Sequence, residues 1–259
     1  MRVPIIAGNW KMNTTYDEAM DLIEELVDGL EPLEGSDEID VVLCPPVPWL
    51  VPAAEYLEDT GLLLGAQNCY WEDRGAFTGE VSAAMLADRC SYVIVGHSER
   101  RAHFGETDAD VARKVAALLR HGLRPIVCVG ESLAERDAGA TDATIARQVA
   151  AAFAPVEAGQ VAECVVAYEP VWAIGSGRAA DGAEANRVAA LIRRTLAEQF
   201  GADLAARARV QYGGSVTGAN IAEFISQPEV DGALVGGASL KTNDFIRICE
   251  IAAEYATED

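Results

Sequence analysis

Residues 208–241 read ARVQYGGSVTGANIAEFISQPEVDGALVGGASLK, and this stretch contains one complete structural repeat. Two strand-like runs, residues 208–212 and 232–235, are each followed directly by a glycine pair. Between them, residues 221–225 place apolar side chains at the spacing of one helical face. A strand, a helix and a second strand of these lengths are typical of a parallel sheet whose strands are buried on both faces.

The same alternation of strand and helix recurs along the whole chain. The eight strand-like runs are residues 4–7, 40–44, 62–66, 92–95, 125–129, 164–168, 208–212 and 232–235. Eight units in 259 residues leave about 32 residues per unit, which is the spacing of a βα repeat. Since no linker divides the chain, we predict a single α/β domain over residues 1–259, with an eight-stranded parallel sheet closed into a (β/α)8 barrel. A doubly wound open sheet is the alternative.

Helical periodicity is clearest in four other segments, residues 17–30, 111–119, 188–196 and 245–252. Gly122 stands where a glycine commonly ends a helix in the left-handed conformation. Asn243 precedes the last segment, and its side chain is of the type that caps a helix N-terminus.

The composition limits the classes of function. Half of the residues are hydrophobic, but prolines interrupt the richest apolar stretch, residues 41–54, so we expect no membrane span. The apolar run at the N-terminus is too short for the core of a signal peptide, and we expect a soluble, cytoplasmic protein. Six widely spaced cysteines fit reduced structural thiols, and three scattered histidines argue against a metal site.

The formal net charge of −21 argues against a nucleic-acid partner. It also means that any site for an anionic substrate must be made locally, from backbone N–H groups and a few cations.

Polar residues follow several of the predicted strands, and in a parallel barrel these strand ends share one face. Glu169 comes directly after residues 164–168, and the proline and Gly-Ser-Gly run behind it suit a hinged cover. His97 follows residues 92–95 and leads into a helical pattern, where the helix dipole favours the neutral imidazole. A solvated Glu in an ordinary loop and a hydrogen-bonded His in the barrel wall are alternatives that these residues leave open.

Two further features lie at the same predicted face. Asn9 and Lys11 follow the first strand and offer an amide and a compact cation, although a turn Asn beside a surface Lys remains the alternative. The glycine pairs at 213–214 and 236–237 allow backbone N–H groups to approach a ligand. In barrels, the loops after strands 7 and 8 commonly form a phosphate site.

This set of residues favours one reaction class. It contains no nucleophile beside a base, no cluster of metal ligands and no dinucleotide fingerprint. A base with a neutral electrophile suits proton abstraction beside a carbonyl, with the oxygens of the enediolate held by His97 and Lys11.

Five motifs occur together, in order and at matching spacing: Asn-Trp-Lys-Met-Asn at 9–13, Gly-His-Ser-Glu-Arg-Arg at 96–101, the segment 167–178, Tyr-Gly-Gly-Ser-Val at 212–216 and Gly-Gly-Ala-Ser-Leu at 236–240. In these motifs the chain resembles the triosephosphate isomerase family over its whole length. The resemblance implies a TIM barrel and an isomerase of glycolysis and gluconeogenesis. Such an enzyme interconverts dihydroxyacetone phosphate and D-glyceraldehyde 3-phosphate without a cofactor or a metal.

The resemblance also implies the roles of individual residues. Glu169 would be the base and His97 the electrophile, with Asn9 and Lys11 binding substrate and Glu99 supporting the site. The residues that would bind the phosphate group are Gly175, Ser215, Gly236 and Gly237.

The resemblance further implies a lid and a partner. Residues 170–178 would form the lid that excludes water. The loop around Thr78 would enter the partner's active site in a homodimer. Ser176 and Arg178 depart from the family's common Thr-Gly-Lys hinge, which makes the hinge kinetics a point of interest.

Two other functions fit part of the pattern. Another phosphate-binding barrel, such as a sugar-phosphate isomerase of amino-acid biosynthesis, explains the glycine pairs but not Asn9 and Lys11 together with His97 and Glu169. A catalytically inactive barrel kept as a scaffold predicts the loss of at least one of these residues, and none is lost.

Overall fold

The sheet is a closed barrel. The computed structural model describes residues 2–33, 38–173 and 180–257. Its parallel strands pair in chain order, and β1 also pairs with β8. The strands are β1 (Ile5–Asn9), β2 (Asp40–Cys44), β3 (Leu63–Ala66), β4 (Tyr92–Val95), β5 (Arg124–Val129), β6 (Val165–Tyr168), β7 (Arg209–Tyr212) and β8 (Gly232–Val235). This topology confirms the (β/α)8 prediction and excludes the open sheet.

Helices surround the barrel on its outside. They are α1 (Tyr16–Leu30), α2 (Leu50–Leu57), α3 (Ala83–Leu86), α4 (Ser98–Phe104), α5 (Asp108–Arg120), α6 (Leu133–Asp137), α7 (Thr141–Phe153), α8 (Gly182–Phe200), α9 (Ala202–Ala205), α10 (Ile221–Ile225) and α11 (Thr242–Thr257). Gly122 follows α5 with φ of 71°, as its predicted role requires.

Two local predictions were wrong. The first strand does not stop at residue 7 but continues to Asn9, because the pairing with β2 extends to Cys44. The last helix begins at Thr242, so Asn243 lies inside its first turn rather than before it. Pairing with another part of the chain sets the end of the strand. The helix begins where the Lys241 carbonyl accepts the backbone N–H groups of Asp244 and Phe245.

Side chains fill the barrel and close its lower end, which is the N-terminal end of the strands. Buried apolar residues from most of the strands pack around the barrel axis, including Ile5, Val42, Tyr92, Ile126, Val165 and Leu234. At the N-terminal end of the strands, Arg209 binds the Asp40 carboxylate at 2.5 Å and the Tyr92 hydroxyl at 2.6 Å. Because these groups block the lower end, a ligand must enter from the C-terminal end of the strands.

All six cysteines are buried and unpaired, as their spacing predicted. Burial raises the pKa of each thiol, and for Cys128 the neighbouring Glu169 adds to this rise. The thiols therefore stay protonated and behave as small apolar groups. Within the described residues, no helix is long and apolar enough to cross a membrane.

Candidate active site

A cavity of about 410 Å³ opens at the C-terminal end of the strands. Every site residue predicted from the sequence lines this cavity except Gly175, which lies outside the described residues. The lining residues include Asn9, Lys11, His97, Glu99, Glu169, Ser215, Gly236 and Gly237. Residues from β1, β4, β6, β7 and β8 or the loops behind them therefore meet in one place.

Two hydrogen bonds and one close contact hold the Glu169 carboxylate, which is 2% exposed. Oε2 accepts the Ser98 backbone N–H at 2.9 Å, and Oε1 accepts the Ser98 hydroxyl at 3.2 Å. Oε1 also lies 3.0 Å from Nε2 of His97. Both oxygens are thus occupied, so the carboxylate must leave Ser98 before it can reach a substrate carbon.

The hydrogen bonds of His97 define its tautomer. Its Nδ1 accepts the Glu99 backbone N–H at 3.2 Å, because His97 caps the N-terminus of α4. A nitrogen that accepts a hydrogen bond carries no proton, so the ring proton lies on Nε2, which faces the cavity. The neutral ring expected from the sequence is therefore the form that these contacts favour, with Nε2–H available as a donor.

Lys11 lies opposite His97 in the cavity. Its Nζ donates to Oε1 of Glu99 at 2.6 Å, and its backbone N–H donates to Oδ1 of Asn9 at 3.0 Å. Burial opposes ionisation of Glu99, but the hydrogen bond and charge of Lys11 outweigh burial and lower the pKa of this carboxyl. Lys11 has φ of 54°, a strained conformation for a non-glycine residue. The Gln67 side chain donates to its carbonyl oxygen at 2.8 Å and helps to hold that conformation.

The two glycine-rich loops form the opposite wall. A Cβ at Gly213 would lie 3.0 Å from Cγ of Glu169, so a side chain there would press on the catalytic candidate. A Cβ at Gly236 would lie 3.9 Å from Nζ of Lys11, so the ammonium group reaches toward the second loop. Backbone N–H groups and the Lys11 charge therefore share one local anion site in a chain of net charge −21.

The start of the predicted lid packs on a buried carboxylate. Oε1 of Glu131 accepts the Trp172 indole N–H at 2.8 Å and the Tyr168 hydroxyl at 3.2 Å. The Arg136 guanidinium covers the Trp172 ring at 4.1 Å. Gly175, Ser176 and Arg178 lie outside the described residues, so their predicted roles remain predictions.

Sequence analysis missed two residues that shape this site. Ser98 holds the Glu169 carboxylate and lies within the motif at 96–101, which was quoted for other residues. Glu131 holds Trp172. The position of Ser98, directly after His97 and at the start of a predicted helix, could have indicated its role. Glu131 gave no sign, because its partners lie 37 and 41 residues away.

A second buried carboxylate supports the loop that carries His97. Glu106 accepts the Gly96 backbone N–H at 2.8 Å, Nε of Arg100 at 2.7 Å and Nζ of Lys114 at 2.7 Å. Lys114 also donates to Asn68 at 2.7 Å. Burial by itself raises the pKa of Glu106, but the Lys114 and Arg100 contacts outweigh burial and lower it.

The Glu106→Gln variant should be less stable by about 3 kcal/mol at neutral pH, because it breaks a buried ion pair. A lowered pKa means that Glu106 stabilises the fold above its unfolded pKa of about 4.3, and that this contribution is lost as pH falls through the folded pKa. The stability difference from the wild type should therefore shrink below about pH 4. Urea unfolding at several pH values measures it, with the exposed Glu163→Gln as the control. A difference that stays constant with pH would contradict this account.

The loop around Thr78 is folded on itself and anchored to α5. The Tyr70 ring stacks on Trp71 at 4.1 Å and contacts Phe77 at 4.7 Å. Oδ1 of Asp73 binds Arg120 and His121, each at 2.8 Å. These contacts hold Thr78 exposed at the surface.

The described residues contain no group of three or more His, Cys, Asp or Glu side chains placed to hold a metal ion. The cavity brings together the Glu169 carboxylate, the His97 imidazole, the Lys11 ammonium group and the two glycine-rich loops. Such a set can move a proton and stabilise an oxyanion beside a bound phosphate group.

Comparison with known proteins gives a consistent result. A family model described as triosephosphate isomerase matches residues 4–252. Similar proteins named triosephosphate isomerase occur in Chloroflexus aurantiacus (55% identical), Moorella thermoacetica (53%) and Carboxydothermus hydrogenoformans (51%). Each alignment covers 96% of this chain and 98% of the relative.

Proposed function

The chain belongs to the triosephosphate isomerase family, and from this we propose how its residues interconvert dihydroxyacetone phosphate and D-glyceraldehyde 3-phosphate. The reaction is an intramolecular aldose–ketose isomerisation of glycolysis and gluconeogenesis. The observation that supports our assignment is the meeting of Glu169, His97 and Lys11 with two glycine-rich loops in one cavity.

Glu169 acts as the base. Its carboxylate contacts Ser98 and His97. A substrate carbonyl oxygen accepts the Nε2–H of His97, and the carboxylate leaves Ser98 for the substrate carbon. The carboxylate then takes a proton from C1 of dihydroxyacetone phosphate and returns it to C2, through an enediolate intermediate.

His97 and Lys11 stabilise the developing charge. The His97 Nε2–H donates to the enediolate oxygens and relays a proton between them, while Asn9 and the Lys11 ammonium group contact the same edge of the substrate. Glu99 holds the ammonium group at 2.6 Å and so fixes its position. The scheme uses no cofactor.

The phosphate group is bound by backbone N–H groups of Ser215, Gly236 and Gly237, with Gly175 joining from the lid. Residues 170–178 close over the substrate and exclude water, which protects the enediolate from losing phosphate. The hydrogen bond from Trp172 to Glu131 anchors the N-terminal part of this lid.

We further propose that residues 1–259 form a single cytoplasmic domain. Pairing of the first strand with the last supports one domain, since neither half of the barrel is closed without the other. Six free, buried cysteines fit a reducing compartment.

A coupled assay tests the activity: D-glyceraldehyde 3-phosphate is supplied, and the dihydroxyacetone phosphate formed is reduced by an auxiliary dehydrogenase with NADH. The purified protein should turn over without added metal or cofactor. A folded protein that gives no turnover would overturn the assignment.

We also propose a homodimer in which the loop around Thr78 enters the partner's site. A groove of about 310 Å³ adjoins Lys11, His97 and Glu99 and is open to the surface. Large apolar side chains are exposed around it, with Met12 96% and Phe104 71% exposed. These exposed apolar side chains support a protein interface around the groove.

The Phe104→Asp variant should dissociate the dimer, because it places an unpaired charge in the interface. A cost of about 3 kcal/mol raises the dissociation constant by more than about a hundredfold. Sedimentation velocity at micromolar concentration measures this, with Leu133→Asp as a control, since Leu133 is exposed after β5. A wild-type protein that sediments as a monomer, or two variants with equal effects, would contradict the proposed interface.

A further inference from the structure

Within the part of the chain that the structure describes, a single hydrogen bond joins the glycine-rich loop after β7 to α11, the helix that follows the second glycine-rich loop. The Gly218 backbone N–H, in the loop after β7, donates to Oδ1 of Asp244 at 2.7 Å. Asp244 lies in the first turn of α11, directly behind the loop that follows β8. The bond therefore connects two segments that lie 26 residues apart in sequence.

Each loop is otherwise braced by its own hydrogen bonds. In the first loop, Oδ1 of Asn220 accepts the Thr217 N–H at 2.8 Å, and Nδ2 of Asn220 donates to the Ser215 carbonyl at 3.0 Å. In the second loop, the Ser239 hydroxyl donates to the Gly236 carbonyl at 2.7 Å. These bonds fix the shape of each loop but not the distance between the loops.

A side chain at Gly218 would crowd this contact. A Cβ at Gly218 would lie 3.0 Å from Oδ1 of Asp244 and 3.1 Å from Cγ of Arg247. The loop backbone therefore lies directly against α11, at the distance that the hydrogen bond requires.

The negative charge of Asp244 limits the roles that this residue can have in the cavity. Its side chain lines the same cavity as Ser215, Gly236 and Gly237, the residues assigned to the phosphate group. A carboxylate beside an anion site is electrostatically unfavourable, so a role in binding the anion directly is excluded. What the carboxylate does supply is a charge-assisted acceptor for a backbone N–H.

We propose that Asp244 is a positioning residue that sets the spacing of the two phosphate-binding loops and thereby the affinity for the phosphate group. This inference rests on the proposed function for the identity of the ligand. It assigns Asp244 to substrate affinity and not to the proton transfer, which takes place at Glu169 and His97.

Three variants test the proposal. Asp244→Ala removes the acceptor, Asp244→Asn keeps an acceptor oxygen without the charge, and Glu250→Ala removes one negative charge from the exposed side of the same helix. Asp244→Ala should raise KM about tenfold, as expected for one charge-assisted hydrogen bond, while kcat changes by less than about twofold. Asp244→Asn should restore KM to within about twofold of the wild type or lower it, and Glu250→Ala should leave KM unchanged.

Binding of inorganic phosphate provides a readout that needs no turnover. A phosphorus NMR titration should show the same order of affinities, with Asp244→Ala the weakest. If no variant isomerises but phosphate affinity still follows this order, the proposed function fails and the role of Asp244 stands. Equal KM and phosphate affinity in Asp244→Ala and Glu250→Ala would overturn the proposal, as would failure of Asp244→Asn to restore them.

Discussion

In the coupled isomerase assay, the Glu169→Gln variant is expected to lose about 10²- to 10⁴-fold in kcat, the usual contribution of a general base. Gln has nearly the shape of Glu, and its carbonyl oxygen can still accept hydrogen bonds from Ser98 or His97. The amide cannot take a proton from carbon, however. The loss should therefore fall on kcat, while KM and the melting temperature change little.

The matched control is Glu163→Gln, which removes the same charge from an exposed side chain two residues before β6. This variant should retain wild-type kcat. If Glu169→Gln remained as active as Glu163→Gln, Glu169 would not be the base and the mechanism would have to be assigned to another residue.

The Gly232→Ala variant is expected to lose the folded barrel or to unfold at a much lower urea concentration. A Cβ at Gly232 would lie 1.9 Å from the Ile5 carbonyl oxygen, and φ at this position is 148°, which L side chains rarely adopt. Ile5 is the residue that Gly232 faces where β1 pairs with β8. The clash and the backbone strain together should cost about 4 kcal/mol or more, a large part of the stability of a domain.

Gly159→Ala provides the control, because an added Cβ there meets no atom within 4 Å. Its stability should lie within about 0.5 kcal/mol of the wild type. Circular dichroism followed during urea unfolding compares the two variants. If the Gly232→Ala protein were as stable as Gly159→Ala, the prediction would be wrong, because the junction of β1 and β8 would then be able to move away from the added Cβ.

The local hydrophobic pattern predicted the bounds of a strand well where all of its residues are buried. The run at residues 92–95 became β4 with the same bounds, since all four side chains are buried. The pattern failed at the end of β1, which pairing with β2 extends to Asn9. It also placed Asn243 before the last helix, whereas this residue lies inside α11. Ends depend on contacts with distant residues, which a local window does not contain.

In the candidate site, too, the sequence identified residues with a local signal and did not identify residues whose role depends on distant partners. Glu169, His97 and Lys11 were identified because each follows a strand, and a parallel barrel brings all strand ends to one face. Ser98 and Asp244 were not identified as site residues, because their roles depend on partners 71 and 26 residues away. No periodicity relates residues at such separations.

The amino-acid sequence was sufficient to establish eight strand–helix units, the residues at the strand ends and membership of the family, because each of these follows from local order along the chain. The resting position of Glu169 on Ser98, the Nε2–H tautomer of His97, the ion pair of Lys11 with Glu99 and the bond between Gly218 and Asp244 emerged from the folded barrel alone. Hydrogen bonds require atoms to meet within about 3 Å, and it is strand register and helix packing that bring such distant residues to that distance.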